Sequence, residues 1–127
     1  MVERLEAPVG ARVLVVDDHP GFRAAARRLL EKAGYVVVGE AEDGLTALDA
    51  ARTLRPNLVL LDIRLPDMDG FDVCARLTAQ PRPPAVVLTS SSDALEFGER
   101  VAASSALGFV SKQRLTATAL AELVGMM

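Results

Sequence analysis

The sequence predicts a doubly wound α/β domain, and two patterns along the chain support this fold. Short apolar clusters alternate five times with segments of helical periodicity, and no linker or low-complexity stretch separates them. The clusters are continuous and rich in β-branched residues, which is typical of strands buried on both faces of a parallel sheet. Five strand–helix repeats with short connections therefore predict five parallel strands with helices on both sides.

The first two strands are predicted from the clusters Val13–Val16 and Tyr35–Gly39. Between them, apolar residues recur at the spacings of one helix face. Gly34 stands where a C-terminal glycine commonly stops a helix. The predicted helical stripe comprises Phe22, Ala25, Ala26, Leu29, Leu30 and Ala33.

The second helix is predicted from about Gly44 to Leu54. Asp43 is its expected N-cap, because a short polar side chain there can bond the free amides of the first turn. Pro56 ends the helix, since the residue before a proline avoids helical geometry. The third strand, Leu58–Leu61, then runs directly into Asp62.

The third helix is predicted from about Gly70 to Ala79. The segment Pro81–Pro84 makes a hard break before the fourth strand, Ala85–Leu88. Asp93 with Glu96 fits a capping box for the fourth helix, in which the two ends of the first turn bond each other.

The fifth strand is predicted at Leu107–Val110. Its helix is expected to begin after Thr116 and to point three apolar residues inward, namely Leu120, Leu123 and Val124. A chain of 127 residues fits one compact domain. The whole of residues 1–127 is therefore predicted to form one domain, with a core of about 11–126.

Composition and charge argue against several classes of protein. The net charge is −3 and the charges are mixed, whereas a nucleic-acid surface would show clustered Lys and Arg. Cys74 is the only cysteine, so no intramolecular disulfide is expected, and it is predicted to be a small buried hydrophobe. No apolar run approaches the roughly 18 residues that span a bilayer, and the first residues lack a signal peptide's apolar core. A cytoplasmic protein is expected.

Residues capable of chemistry stand directly after the ends of four predicted strands. Asp17 and Asp18 come after the first strand, Asp62 after the third, Thr89 after the fourth and Lys112 just after the fifth. In open parallel sheets, ligands bind outside the carboxyl ends of the strands. The sequence therefore predicts one site in which three carboxylates meet a hydroxyl and an amine.

Three carboxylates in one site cannot all stay ionised without a compensating cation, because like charges raise one another's pKa. Oxygen ligands suit a hard cation such as Mg²⁺, which proteins usually hold with one or two carboxylates. Phosphoryl transfer needs this combination of a nucleophile and positive charge on the phosphoryl oxygens. Asp62 can be the nucleophile, since aspartyl phosphates are an established covalent intermediate. Lys112 can supply charge and Thr89 a hydroxyl donor.

Four motifs resemble those of response-regulator receiver domains, the CheY-like family. Each stands at the end of a predicted strand, they follow the family's order, and the resemblance covers the whole chain. The motifs are Val15–Pro20 (VVDDHP), Leu60–Gly70 (LLDIRLPDMDG), Val87–Ser90 (VLTS) and Gly108–Lys112 (GFVSK). The resemblance implies a flavodoxin-like (βα)5 fold with strand order 2-1-3-4-5.

The resemblance also implies roles at the acidic site. Asp62 would be the phosphoacceptor, and a histidine kinase would phosphorylate it in a Mg²⁺-dependent reaction that the domain itself catalyses with Lys112. Asp18 would bind the metal directly and Asp17 through water. The Arg64 carbonyl and Asp62 would complete the metal site.

A switching role is implied for two further residues. Thr89 would be the switch hydroxyl, moving toward the phosphoryl group, and Phe109 the switch aromatic that enters the vacated space. The change would spread to the surface of the fourth helix, fifth strand and fifth helix, which would bind partners. The protein would be no enzyme beyond its own phosphorylation and dephosphorylation.

The resemblance is nearest to receivers of LuxR- and NarL-type regulators, because His19 and Pro20 follow the aspartate pair. The implied partners are a sensor histidine kinase and a LuxR-type DNA-binding output domain, on a longer chain or as a separate effector. A phosphorylation-dependent homodimer is a further implied state. No output domain is expected within residues 1–127, and the chain is expected to bind neither nucleic acid nor membrane. Gln113 departs from the proline of many receivers, which leaves the geometry of the lysine loop open.

Other interpretations remain open. A pseudo-receiver scaffold would keep the fold without phosphorylation. A small phosphatase would need a second acid where the chain has Arg64, and a flavodoxin-type carrier would need a phosphate-cradling loop in place of the first acidic pair. Asp69 is predicted to cap a helix and Asp67 to be a solvated turn residue. His19 is predicted to be solvated at a helix start, and Phe109 has plain core packing as its alternative.

Overall fold

Within residues 10–92 and 94–125, which the computed structural model describes, five strands alternate with five α-helices and one short 3-10 helix follows the last strand. The order predicted from the sequence is confirmed. The elements are β1 (Arg12–Val16), α1 (Pro20–Lys32), β2 (Val36–Ala41), α2 (Gly44–Leu54), β3 (Leu58–Asp62), α3 (Gly70–Thr78), β4 (Ala85–Ser90), α4 (Ala94–Ala103), β5 (Gly108–Ser111), the 3-10 helix Lys112–Arg114 and α5 (Ala117–Val124).

The strands form one parallel sheet in the order β2-β1-β3-β4-β5, which confirms the predicted topology. Strands β1 and β3 are neighbours, and Val16 pairs with Leu61 at the end of their ladder. Asp62 and Thr89 pair across β3 and β4. The sheet therefore places the carboxyl-terminal ends of β1, β3 and β4 side by side.

The core has two layers, one on each face of the sheet. One layer lies under α2, α3 and α4 and includes Val59, Leu77 and Phe97. The other lies under α1 and α5 and includes Leu30 and Leu120. Because every strand except those at the edges is covered on both sides, the continuous apolar clusters of the sequence are explained.

The inward stripe of α1 is narrower than the sequence predicts. Ala26 and Leu30 are buried, and Phe22 and Leu29 are partly buried. Ala25 is exposed, so its place on the predicted stripe is wrong. The helix faces the sheet along the line through residues 26 and 30, which are one turn apart, and position 25 points about 100° away from it.

The ends of α2 follow the predicted chemistry. Asp43 Oδ1 accepts from the Thr46 amide at 2.8 Å, and Thr46 Oγ1 accepts from the Asp43 amide at 3.3 Å, so the two residues form a capping box. The helix stops before Pro56, as predicted, and Arg55 takes a left-handed conformation with φ 49°. The Arg12 guanidinium donates to the Leu54 and Arg55 carbonyls, which would otherwise end the helix without partners.

Other local predictions are also settled by the structure. Gly34 follows α1 with φ +101°, a conformation that favours glycine. Cys74 is buried, and burial raises the pKa of its thiol. The predicted capping box of Asp93 and Glu96 involves a residue, Asp93, that lies outside the described residues. Among the described helices, none is both long and apolar enough to cross a bilayer.

Gly70 lets the start of α3 lie against the end of β3. A Cβ at this position would stand 2.4 Å from the Asp62 carbonyl oxygen and 2.6 Å from Ile63 Cα. The Gly70 amide donates to the Ile63 carbonyl at 2.7 Å. This close backbone contact anchors the loop that leaves Asp62.

We expect Gly70→Ala to lower the free energy of unfolding by about 1–3 kcal/mol, because backbone atoms cannot move aside for the new methyl group. Gly98→Ala is the matched control. Gly98 is an exposed residue in α4 with no atom within 4 Å of an added Cβ. That variant should gain about 0.5–1 kcal/mol. Urea unfolding midpoints measure both, and equal stability of the two variants would contradict the close contact at Gly70.

Candidate functional site

Three elements place an amine between two carboxylates. Asp17 directly follows β1, Asp62 ends β3, and Lys112 opens the 3-10 helix after β5. Lys112 Nζ lies 2.5 Å from Asp17 Oδ2 and 3.3 Å from Asp62 Oδ2. The ammonium group also lies 4.6 Å from the ring centre of Phe22, an aromatic contact from α1 that the sequence did not reveal. The predicted convergence of Asp17, Asp62 and Lys112 is therefore present in the structure.

The two carboxylates are removed from solvent. Asp17 is 0% exposed and Asp62 is 3% exposed. Asp17 Oδ1 accepts from the His19 amide at 2.8 Å, and Asp62 Oδ1 accepts from the Arg64 amide at 3.2 Å. Backbone amides, Lys112 and, for Asp17, the His19 ring thus provide polar contacts to the two buried acids.

The environment shifts the pKa of Asp62 and of Lys112 upward. Burial is the largest cause of the raised pKa of Asp62, and the negative charge of Asp17 adds to it. The attraction of Lys112 and the bond from the Arg64 amide only partly oppose these effects. For Lys112, burial alone would lower the pKa, but the contacts with Asp17 and Asp62 outweigh it. The charged form of Asp62 is therefore held at an energetic cost.

Asp18 and His19 complete an acidic cluster at the solvent-facing side. Each residue of the set Asp17, Asp18, His19 and Asp62 offers a ligand atom, and these atoms lie within 4.8 Å of one another. The His19 ring is 70% exposed, as predicted, and its Nδ1 lies 3.2 Å and 3.1 Å from oxygens of Asp17 and Asp18. With a neutral imidazole, three carboxylates and one ammonium leave two negative charges. A divalent cation with oxygen ligands fits this donor set.

Thr89 supplies a hydroxyl without a partner beside Asp62. Its Oγ1 is buried, and within the described chain it makes no hydrogen bond. A buried hydroxyl in this state carries an unpaid desolvation cost, which an added oxygen acceptor would relieve. Ser90, next in β4, differs because its Oγ accepts from the Ser92 amide at 3.0 Å.

Phe109 is partly buried in β5, next to the aromatic core. Its ring centre lies 6.2 Å from that of Phe97 in α4. One residue beyond Lys112, the Gln113 side chain donates to the Ser91 carbonyl at 3.0 Å. The glutamine at this position therefore ties the lysine loop to the loop after β4.

The loop between β3 and α3 is held by two aspartates. Asp69 caps α3, as predicted, and accepts from the Phe71 amide at 2.8 Å. Asp67 caps α2 by accepting from the Gly44 and Leu45 amides at 2.7 and 3.0 Å, and the bond from Gly44 is the largest cause of its lowered pKa. The prediction of a solvated turn residue matches the exposure of Asp67 but misses this role. Its partners are more than 20 residues away, so no local pattern could indicate them.

Comparison with known proteins gives consistent matches. The model of the family described as response regulator receiver domain matches residues 13–124. A putative transcriptional regulator of Pseudomonas aeruginosa is 42% identical over 103 residues, which are 81% of this chain and 50% of that protein. The virulence factors putative positive transcription regulator BvgA of Bordetella pertussis is 44% identical over 101 residues, or 80% and 48% of the two chains. This chain thus spans about half the length of these curated relatives.

Solved structures agree with the sequence matches. The signal receiver domain of the putative response regulator NarL from Mycobacterium tuberculosis superposes with a TM-score of 0.80 at 38% identity, covering 94% of each chain. A two-component response regulator of the LuxR family from Aurantimonas gives 0.79 at 29% identity, over 91% of this chain and 86% of that one.

We expect Asp62→Asn to be more stable than the unaltered chain at pH 7 in metal-free buffer. The raised pKa means that the folded state prefers protonated Asp62, so stability falls as pH rises from the unfolded pKa through the folded one. The neutral side chain of the Asp62→Asn variant does not ionise, so the variant does not lose stability in this way. The stability difference should therefore grow with pH over that window and then level off.

Urea unfolding at a series of pH values measures this difference. Asp72→Asn is the matched control, since Asp72 is exposed on α3. It should show no such pH-dependent gain. A less stable Asp62→Asn at pH 7 would mean that the fold requires the carboxylate.

Proposed function

The chain belongs to the response regulator receiver family of two-component systems, and we propose that it accepts a phosphoryl group from a sensor histidine kinase on Asp62. One observation carries the proposal. A nearly buried carboxylate at the end of β3 contacts an ammonium group and lies in a cluster with two further acids. An isolated capping aspartate would need none of these neighbours.

Asp62 is a better acceptor than the other two carboxylates. Lys112 Nζ lies closer to Asp17 Oδ2, at 2.5 Å, than to Asp62 Oδ2, at 3.3 Å, so the lysine holds Asp17 more tightly than Asp62. Asp18 is more exposed, and among the described ion pairs it makes no contact with Lys112. Asp62 also pairs with Thr89 across the sheet, so the free hydroxyl stands beside it.

The transfer itself is a displacement at phosphorus. A carboxylate oxygen of Asp62 forms the new P–O bond while the P–N bond to the kinase histidine breaks, and the leaving imidazole takes up a proton. Lys112 balances charge that builds on the phosphoryl oxygens, and the Thr89 hydroxyl can donate to one of them. Mg²⁺, held by Asp17, Asp18, Asp62 and the Arg64 carbonyl, would neutralise phosphoryl charge when bound.

The raised pKa of Asp62 fits this role. A more basic carboxylate is a stronger nucleophile, and the attraction of Lys112 partly opposes the rise in the pKa of Asp62 that burial and Asp17 cause. Burial also excludes water from the acceptor oxygen. The energetic cost of keeping Asp62 ionised is therefore consistent with a role as phosphoacceptor.

Phosphorylation would act on a surface through Thr89 and Phe109. The Thr89 hydroxyl would turn toward a phosphoryl oxygen, and Phe109 would move into the released space. The affected face comprises α4, β5 and α5, which together form a two-state element. Gly98 lowers the helix propensity of α4 by about 1 kcal/mol relative to alanine, so this helix is easily shifted.

The relatives indicate what the switched face serves. The proteins named above are described as transcriptional regulators, and the matched residues make up only about half of each. We infer that the face contacts a LuxR-type DNA-binding output domain, on a longer chain or on a separate effector. The same face would also form the interface of a phosphorylation-dependent homodimer. Direct chemistry on a small-molecule substrate is not part of this function.

Incubation with acetyl phosphate and Mg²⁺ should add one acid-stable, base-labile phosphate to the chain. A Phos-tag gel detects the modified species. Asp62→Asn should abolish it, whereas Asp72→Asn, which removes an exposed acid, should not. Modification of Asp62→Asn at the unaltered rate would move the acceptor to another residue, with Asp17 and Asp18 the next candidates. Absence of phosphate on the unaltered chain would favour the pseudo-receiver scaffold.

A further inference from the structure

Helix α4 is attached to the sheet by few buried side chains. Over residues 96–103, whose side chains are described, Phe97 is buried and Val101 is partly buried, while the other residues are exposed. Helix α3, in contrast, buries five of its nine residues. The position of α4 therefore depends more strongly on polar contacts than the position of α3 does.

Two ion pairs join α4 to the loop after β3. Arg64 pairs with Glu96, and Arg100 pairs with Asp69 at 2.8 Å. Arg64 and Asp69 face each other across an isolated β-bridge in the loop, and Glu96 and Arg100 are one helical turn apart. Each side thus contributes one cation and one anion. We call these four residues the α4 clamp.

The α4 clamp rests on a row of aromatic rings. The Arg64 guanidinium lies 5.5 Å from the ring centre of Phe97, and that of Arg100 lies 4.2 Å from the ring centre of Phe71. Phe97 stands between Phe71 and Phe109, with ring centres 6.2 Å apart in both cases. A movement of the Arg64 or Arg100 side chain would therefore act on Phe97, the ring that contacts Phe109 of β5.

The same loop begins at the acceptor carboxylate. The Arg64 amide donates to Asp62 Oδ1, so the backbone of Arg64 is bonded to the group that gains the phosphoryl charge. The clamp side chains are 36–61% exposed. Exposed pairs of this kind shift an equilibrium by at most about fivefold each. They are strong enough to bias α4 and weak enough to be broken.

We propose that the α4 clamp holds α4 in its position before phosphorylation, and that Arg64 is the positioning residue that releases it. An anionic group on Asp62 competes with Glu96 for the Arg64 guanidinium and alters the bond to the Arg64 amide. The pair then weakens, and α4 moves on its aromatic contacts. This inference rests on the proposed function, since it adds a second route from Asp62 to α4 beside the one through Thr89 and Phe109.

Amide exchange of residues 97–103 in metal-free buffer tests the resting clamp without any phosphorylation. Glu96→Gln removes one pair, so exchange should rise by up to about fivefold. Glu99→Gln is the matched control, because Glu99 is exposed on the same helix and makes no ion pair with the part of the chain that the structure describes. Equal exchange in the two variants would overturn the clamp.

A double-mutant cycle shows whether Arg64 acts through Glu96. Arg64→Gln and Glu96→Gln should each raise exchange in α4, and the double variant should exceed neither single variant, since both remove the same pair. Effects that multiply in the double variant would mean that the two residues act independently, and the clamp would be wrong.

Beryllofluoride with Mg²⁺, a mimic of the phosphoryl group, separates this inference from the proposed function. The mimic should raise α4 exchange in the unaltered chain and raise it less in Glu96→Gln, where the helix is already released. An equal rise in both proteins would overturn the clamp alone. No effect of the mimic on any amide near Asp62 would count against the proposed function, whatever the resting exchange shows.

Discussion

The burial of two carboxylates beside a single ammonium group is the constraint on which the rest of the structure depends. Asp17 and Asp62 can share Lys112 only because β1 and β3 are neighbours and the lysine returns from β5. The strand order and the pairing of the strand ends are therefore conditions for the site. Gly70 serves the same requirement, because it brings α3 close enough to hold the loop beyond Asp62.

The acidic site lowers the stability of the fold, and burial of the two apolar core layers offsets this loss. Strands β1, β3 and β4 are almost completely buried between the helices, so apolar burial offsets the cost of ionised Asp62. The cost of ionised Asp62, and of a Thr89 hydroxyl with no hydrogen bond to any residue that the structure describes, is concentrated at the strand ends where a ligand would bind. A cation and a phosphoryl group would each relieve part of it. Ligands that relieve such a cost in one conformation more than in another shift populations, and under the proposed function this would link the acidic site to the surface of α4, β5 and α5.

Much of this could be predicted from the sequence, and the remainder could not for a physical reason. Apolar clusters and periodicity indicated the five strands and the five α-helices but not the 3-10 helix Lys112–Arg114. Motifs at the strand ends indicated the site, although the strand order came from the family resemblance. Contacts between distant residues left no local signal. The capping of α2 by Asp67, the packing of Phe22 on Lys112 and the pairing of Arg64 with Glu96 depend on how helices lie on the sheet. The exposed Ala25 shows the same limit, because small residues fit either face.

Stability as a function of Mg²⁺ concentration tests most directly whether these carboxylates form a cation site. We predict that the free energy of unfolding at pH 7 rises by about 1.4 kcal/mol for each tenfold increase in Mg²⁺ once the site begins to saturate. In Asp18→Asn the rise should begin at a higher concentration, since one ligand charge is lost. An unfolding free energy that does not change with Mg²⁺, or an identical response in Asp18→Asn, would contradict the account.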